Sequence, residues 1–195
     1  MTQLLALVGF SFVSSFTPGP NNILLWASGA TFGFWRTLPH VIGTALGLGA
    51  MALAAAAGLA AVVVAVPELA FAMRLGGSAY LLYLAWQIGR SRRLQSAALA
   101  RPLGVRGGAT FQLLNPKAWI FALGAVTTFR PTDLPPATGS AFVALVMMLV
   151  IVPTAAAWAG AGGAMSRLMS GERSHRIVRI TLAVMVIFTV ALVWL

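Results

Sequence analysis

Residues 16–27 read "FTPGPNNILLWA", inside an apolar run that begins at Leu4. Pro18, Gly19, Pro20, Asn21 and Asn22 follow one another where a membrane helix tolerates interruption least. A break in hydrocarbon strands N–H and C=O groups that no water can satisfy, so it survives only where protein buries it or it lines a wet cavity. Pro18 and Pro20 donate nothing, Gly19 permits unusual dihedrals, and Asn21 or Asn22 suits the N-cap of the half-helix that follows. A single proline, such as Pro153, reads as an ordinary kink. Two prolines, a glycine and two amides together read as a site.

The surroundings confirm the medium. Of 195 residues, 59% are hydrophobic and 8% charged, with mean hydropathy +0.91. A soluble domain carries about three times that charge, so the chain reads as one all-α integral membrane domain spanning 1–195. With no cysteine, disulfides and thiolate metal sites are excluded. The start "MTQLLALVGF" lacks a basic leader, and no cleaved signal peptide is expected.

Six apolar segments reach the roughly 20 residues that cross a bilayer: Leu4–Phe34, Leu38–Val66, Leu69–Ile88, Ala109–Phe129, Ala137–Ala161 and Ile177–Leu195. The second is overlong and is expected to tilt.

The formal charge of +10 raises nucleic-acid binding, and the distribution answers it. Arg36 lies in the first connection, Arg90, Arg92, Arg93, Arg101 and Arg106 in the third, and Arg167, Arg173, Arg176 and Arg179 in or beside the fifth. The second and fourth carry Arg74 and Arg130, each near an acid, Glu68 or Asp133. Alternation by loop is the positive-inside pattern of a membrane protein, not a basic patch for nucleic acid. It makes loops one, three and five cytoplasmic and sends both termini outward. Trp35, Tyr80, Tyr83, Trp86 and Trp194 fall near span ends as lipid-interface anchors.

The fourth segment repeats the first one's anomaly. It reads "TFQLLNPKAWIFALGAV", with Asn115, Pro116 and Lys117 interrupting apolar sequence. Each break precedes a Trp and then a Gly (Trp26 and Gly29; Trp119 and Gly124). This suggests two three-span repeats, 1–89 and 107–195, joined by a basic cytoplasmic loop, 90–106. Odd-numbered repeats are inverted, and inverted repeats with helices broken in matching places mark secondary transporters with midplane sites.

Asn115 is expected to cap, with Pro116 first and Lys117 second in the new half-helix. Each half-helix start offers amide donors to a carboxylate. Each preceding end, around Phe16-Thr17 and Leu113-Leu114, offers carbonyls to an ammonium. An α-amino acid has one group of each kind. Lys117 is the only lysine. An ionisable residue at such depth is a functional candidate, for attracting the carboxylate, gating against carbonyl ends, or carrying a proton. Gly29/Gly33, Gly43/Gly47 and glycines 160, 162 and 163 have the spacing of close helix packing.

"TPGPNNILLWASGATFGF", "GGSAYLLYLAWQIGRS" and "FQLLNPKAWIFAL" resemble motifs of the lysine exporter superfamily (LysE/RhtB type). The nearest branch is that of the homoserine/threonine and cysteine/O-acetylserine exporters. The resemblance implies export of amino acids or close derivatives across the bacterial inner membrane, driven by the proton motive force, with no cofactor. It carries to Pro18, Gly19, Pro20 and Asn21, and to Asn115, Pro116 and Lys117. Thr17 and Asn22 join them as substrate-binding or gating candidates by position. A homodimer is left open.

A cationic side chain on the substrate would want a buried carboxylate. Glu68, Asp133 and Glu172 are the only acids, all in or near loops. A small neutral amino acid is therefore expected over a basic one. The same scarcity leaves Lys117, His40 or the substrate itself to carry protons, with His40 reading first as an interface histidine. An enzyme would need clustered His, acid or Cys residues, yet His40 and His175 fall in different loops. A passive channel would favour a continuous polar stripe, whereas polarity here concentrates at two breaks.

Overall fold

The computed structural model describes residues 2–58 and 101–168 without interruption, with scattered positions between 66 and 86 and between 176 and 191. Among the described residues it is all-helical, with six continuous helices: α1 (Thr2–Phe16), α2 (Pro20–Phe32), α3 (Phe34–Ala56), α4 (Val105–Leu113), α5 (Pro116–Phe129) and α6 (Pro136–Leu168). The third and sixth expected spans, residues 90–100, and His175 and Glu172 lie wholly or largely outside the continuously described segments.

Both expected breaks are present. The first span divides at Thr17-Pro18-Gly19 between α1 and α2, and the fourth at Leu114-Asn115 between α4 and α5. At 1.5 Å per residue, α1 and α2 extend about 20 Å to either side of the first break. α3 and α6 are long and apolar enough to cross a membrane.

Three boundaries depart from expectation. α3 ends at Ala56 rather than running to Val66, because Gly58 turns at φ 90°. α6 continues past Ala161 to Leu168, since its small residues permit tight packing without interrupting the helix. The first connection is one residue: Gly33 turns at φ 86°, with nothing within 4 Å of its α-carbon face. Gly33 is a corner rather than a packing glycine. Ser28 and Thr37 hydroxyls meet across it at 2.9 Å, and Thr37 also donates to Gly33 O at 3.0 Å.

Each broken helix packs on the long helix of the other half: α1 and α2 on α6, α4 and α5 on α3. Glycines make this possible. A Cβ on Gly29 would strike the Ala159 backbone, one on Gly162 the Trp26 carbonyl, and one on Gly43 the Val105 carbonyl. A Cβ on Gly160 would meet only Phe34, at an ordinary contact distance of 3.9 Å. Gly43→Ala should therefore cost about 1–3 kcal/mol through forced separation of α3 and α4. Gly160→Ala should cost nothing. Thermal midpoints of the two variants in detergent check this.

α2 is the central element, burying Asn21 through Leu25 and Ser28 through Ala30. The core joins Leu7 of α1, Leu25 of α2, Val41 and Met51 of α3, Phe121 of α5, and Met147 and Ile151 of α6. Phe10 sits against Phe121 and Phe129 with centroids 5.6 and 5.3 Å apart, fastening α1 to α5. Outward faces carry Leu5, Val13, Ile120 and Leu149, a surface suited to acyl chains.

Helix direction gathers Arg36, Arg101, Arg106 and Arg167 at one end, since Gly108 adjoins His40 and Gly163 adjoins Phe34. The opposite end holds Gln3, Leu4, Phe129 and Asp133 around a shared hollow.

Candidate functional site

The first break is held open by its own side chains. Gly19 stands at the N-cap position with φ −167° and ψ 172°, an extended backbone any residue adopts, and Pro20 opens α2. Asn21 and Asn22 are thus in the first turn and do not cap it, contrary to the sequence expectation; the proline already fixes the chain for helix entry. Asn22 instead reaches back. Its Nδ2 donates to Ser15 O at 2.6 Å and to Thr17 O at 2.9 Å, tying down the carbonyl end of α1. Asn21 turns sideways to α3, donating to Thr44 Oγ1 at 3.2 Å and accepting from His40 Nε2 at 3.2 Å.

The second break is tighter. Leu114 N and Asn115 N bond back to Phe111 O at 3.2 Å and Gln112 O at 3.0 Å, closing α4 with a narrowed turn. Asn115 occupies the N-cap position and Pro116 the first helical one, as expected. Its side chain makes no cap bond: Nδ2 donates to Gln112 Oε1 at 3.2 Å, and Oδ1 is buried without a partner. Trp119 Nε1 donates to Leu113 O at 2.9 Å, so this ring serves the break.

Lys117 joins the two. Its Nζ donates to Thr17 O at 2.8 Å and Pro18 O at 3.4 Å, one hundred residues away in sequence for the first. Its stem crosses Gly19, where a Cβ would lie 3.1 Å from both Cδ and Nζ. Glycine at 19 gives that crossing room rather than unusual dihedrals. The carbonyl ends that sequence reasoning left open are therefore filled from within: Thr17 and Pro18 by Lys117, Ser15 and Thr17 by Asn22, Leu113 by Trp119.

A cavity of about 40 Å³ lies between the breaks. Of the nine expected residues, Gly19, Pro20, Asn21, Asn22, Asn115 and Lys117 line it. Thr17 and Pro18 contribute carbonyls from behind, and Pro116 starts α5. Sequence reasoning did not assign Thr44, Gln112 and Thr154, which also line it. Thr154 donates to Ser15 Oγ at 3.0 Å, bridging α6 to the first break. Their signal was weak, a lone polar group within apolar sequence. His40 was misplaced at the interface. It is fully buried, and Asn21 Oδ1 holds its proton on Nε2, leaving Nδ1 a bare acceptor. Among the described residues no carboxylate lines the cavity, and no group of His, Cys, Asp and Glu could hold a metal.

The two helix breaks thus share one pocket lined by amide, hydroxyl and ammonium groups. Residues 12–195 match the family of LysE type translocators. The chain belongs to that family. It is a multi-pass membrane transporter and not an enzyme. Among its curated relatives are proteins named cysteine/O-acetylserine efflux protein. Those of Escherichia coli K12 and of E. coli O157:H7 are each 26% identical over 187 residues, covering 96% of this chain and 95% of theirs. That of Shigella flexneri is 26% identical over 190 residues, covering 96% of both. No solved structure matches the chain.

Proposed function

We propose that this translocator exports small neutral amino acids, or close derivatives, across the bacterial inner membrane, driven by the proton motive force. The observation that carries this reading is the meeting of both breaks at one cavity that Lys117 crosses. Amide donors in the first turns of α2 and α5 suit a carboxylate. Carbonyls of Thr17 and Pro18 suit an ammonium. No described lining residue offers an anion to a cationic side chain, which favours neutral substrates over lysine or arginine. The relatives' named cargo, cysteine and O-acetylserine, belongs to that neutral class.

The exchange of partners between halves, α1 and α2 on α6 against α4 and α5 on α3, supports an inverted pair of three-span repeats. The clustering of Arg36, Arg101, Arg106 and Arg167 at one end supports a cytoplasmic placement of that end and periplasmic termini.

For the proton, His40 is one candidate carrier beside Lys117 and the substrate itself. Asn21 keeps its Nε2 proton in place while the bare Nδ1 has room in its bonding for a second. The charged groups on α3 and α4 nearest in sequence, Arg36 and Arg106, are exposed. His40→Gln should remove the stimulation of efflux by a pH gradient while retaining at least half of substrate exchange. Flux measured with and without the gradient checks it.

The deciding experiment is counterflow in proteoliposomes with a panel of labelled neutral amino acids. Saturable exchange supports the carrier. Flux that never saturates and follows the electrochemical gradient replaces it with a channel.

A further inference from the structure

We propose that Lys117 is a tethered occupant of the substrate's ammonium subsite, so that a primary amine enters only by displacing the ε-ammonium. This rests on the zwitterion reading above and specifies how the empty carrier is closed. A cavity of about 40 Å³ holds a few waters, whereas even the smallest amino acid has five heavy atoms. Something must leave before one can enter. The long, unbranched stem in the wall is that of Lys117. Its withdrawal vacates volume and carbonyls together.

The chemistry of the resting contact is that of the expected ligand. A primary ammonium donates to Thr17 O at 2.8 Å and approaches Pro18 O at 3.4 Å. Asn22 holds Ser15 O and Thr17 O from the other side, so Thr17 O stays aimed whether or not Lys117 is seated. The third face of the ammonium passes over Gly19, where a Cβ would lie only 3.1 Å away. Once displaced, the ε-ammonium is left beside the incoming carboxylate, since Lys117 lines the same cavity. Charge at the site thus stays balanced as the zwitterion seats. When the substrate departs, Lys117 returns at a high effective concentration set by its short tether, closing the cage to inorganic cations.

The test uses Lys117→Ala and n-propylammonium chloride, which replaces the missing stem and charge. The detergent-solubilised variant should gain several degrees in thermal midpoint, saturating at millimolar amine, while n-propanol leaves it unchanged. The parent, its cage filled, should not respond to the amine. An unresponsive variant, or a parent that responds equally, overturns the proposal. Should the variant aggregate without amine, recovery of a monodisperse peak in n-propylammonium but not in n-propanol supports it, and aggregation under both conditions leaves the decision to a second measurement. There the sole lysine of the parent is reductively methylated against free Nα-acetyl-lysine. Its rate should be at least tenfold below the reference and should rise severalfold in Gly19→Val, whose side chain evicts the ammonium. A rate equal to the reference, or one that Gly19→Val leaves unchanged, overturns the proposal. Amine rescue without any amino acid counterflow would uphold the cage and remove the transport reading; counterflow without rescue would do the reverse.

Discussion

Asn21→Leu should lower substrate exchange at least a hundredfold while leaving insertion and monodispersity near those of the parent. Asn21 is 5% exposed, and one amide serves three partners' worth of geometry: it donates to Thr44, accepts from His40 and borders the cavity. Leucine has the same branching and the same number of heavy atoms, so α2 keeps its place against α6. What disappears is the polar wall. Leaving a buried hydroxyl and a buried imidazole without partners costs about 1–3 kcal/mol each. An apolar branch facing the substrate's charged groups adds its own desolvation penalty. At about 1.4 kcal/mol per tenfold, loss of about 3 kcal/mol of substrate interaction suffices for the hundredfold effect. Counterflow in proteoliposomes reads it directly. Exchange within threefold of the parent would remove Asn21 from the site. Asn21→Asp is the informative companion, because it keeps the acceptor for His40 but loses the donor to Thr44.

Much of this was legible in sequence, for a reason peculiar to membranes. In water a Pro-Gly-Pro-Asn-Asn run is an unremarked turn. In an apolar run it conflicts with the solvent, and the conflict points to a site. Thus Gly19, Asn21, Asn115 and Lys117 could be named from their neighbours alone, and Pro116 could be given its helix position from stereochemistry. Partners were another matter. Lys117 and Thr17 are one hundred residues apart, and nothing local distinguishes a carbonyl left for substrate from one that a distant ammonium already satisfies. The same limit misplaced His40. A connection of several residues would have put it at the interface, but Gly33 turns the chain in one residue, and His40 is carried a full turn and a half into α3. Gly33 itself was read as a packing glycine because spacing reports which face a residue occupies, never its φ. Gly43 and Gly29 have equivalent spacing and do pack, against the Val105 and Ala159 backbones.

The neighbouring asparagine should behave differently. Asn22→Leu should lower the thermal midpoint by about 5–15 °C, since a domain of this size shifts about 2–4 °C per kcal/mol. Asn22 donates to Ser15 O at 2.6 Å and Thr17 O at 2.9 Å, and these bonds do for α1 what water does at a helix end in solution. Without them Ser15 O loses its side-chain donor and Thr17 O keeps that of Lys117. Each carbonyl left unsatisfied costs about 1–3 kcal/mol, and the apolar surroundings offer little relief. Opening should be local, so amide hydrogen exchange should accelerate around residues 13–23 before it does in α3. The two asparagines are adjacent in sequence yet leave α2 in different directions, one towards α3 and one back to α1. Both substitutions leave buried polar groups unpaired, but Asn21→Leu should be marked by its loss of flux and Asn22→Leu by opening at the end of α1. An Asn22→Leu protein as stable as the parent would mean that the break is held by Lys117 and packing alone. In that case Lys117 could not leave its carbonyls without unravelling the helix end it closes.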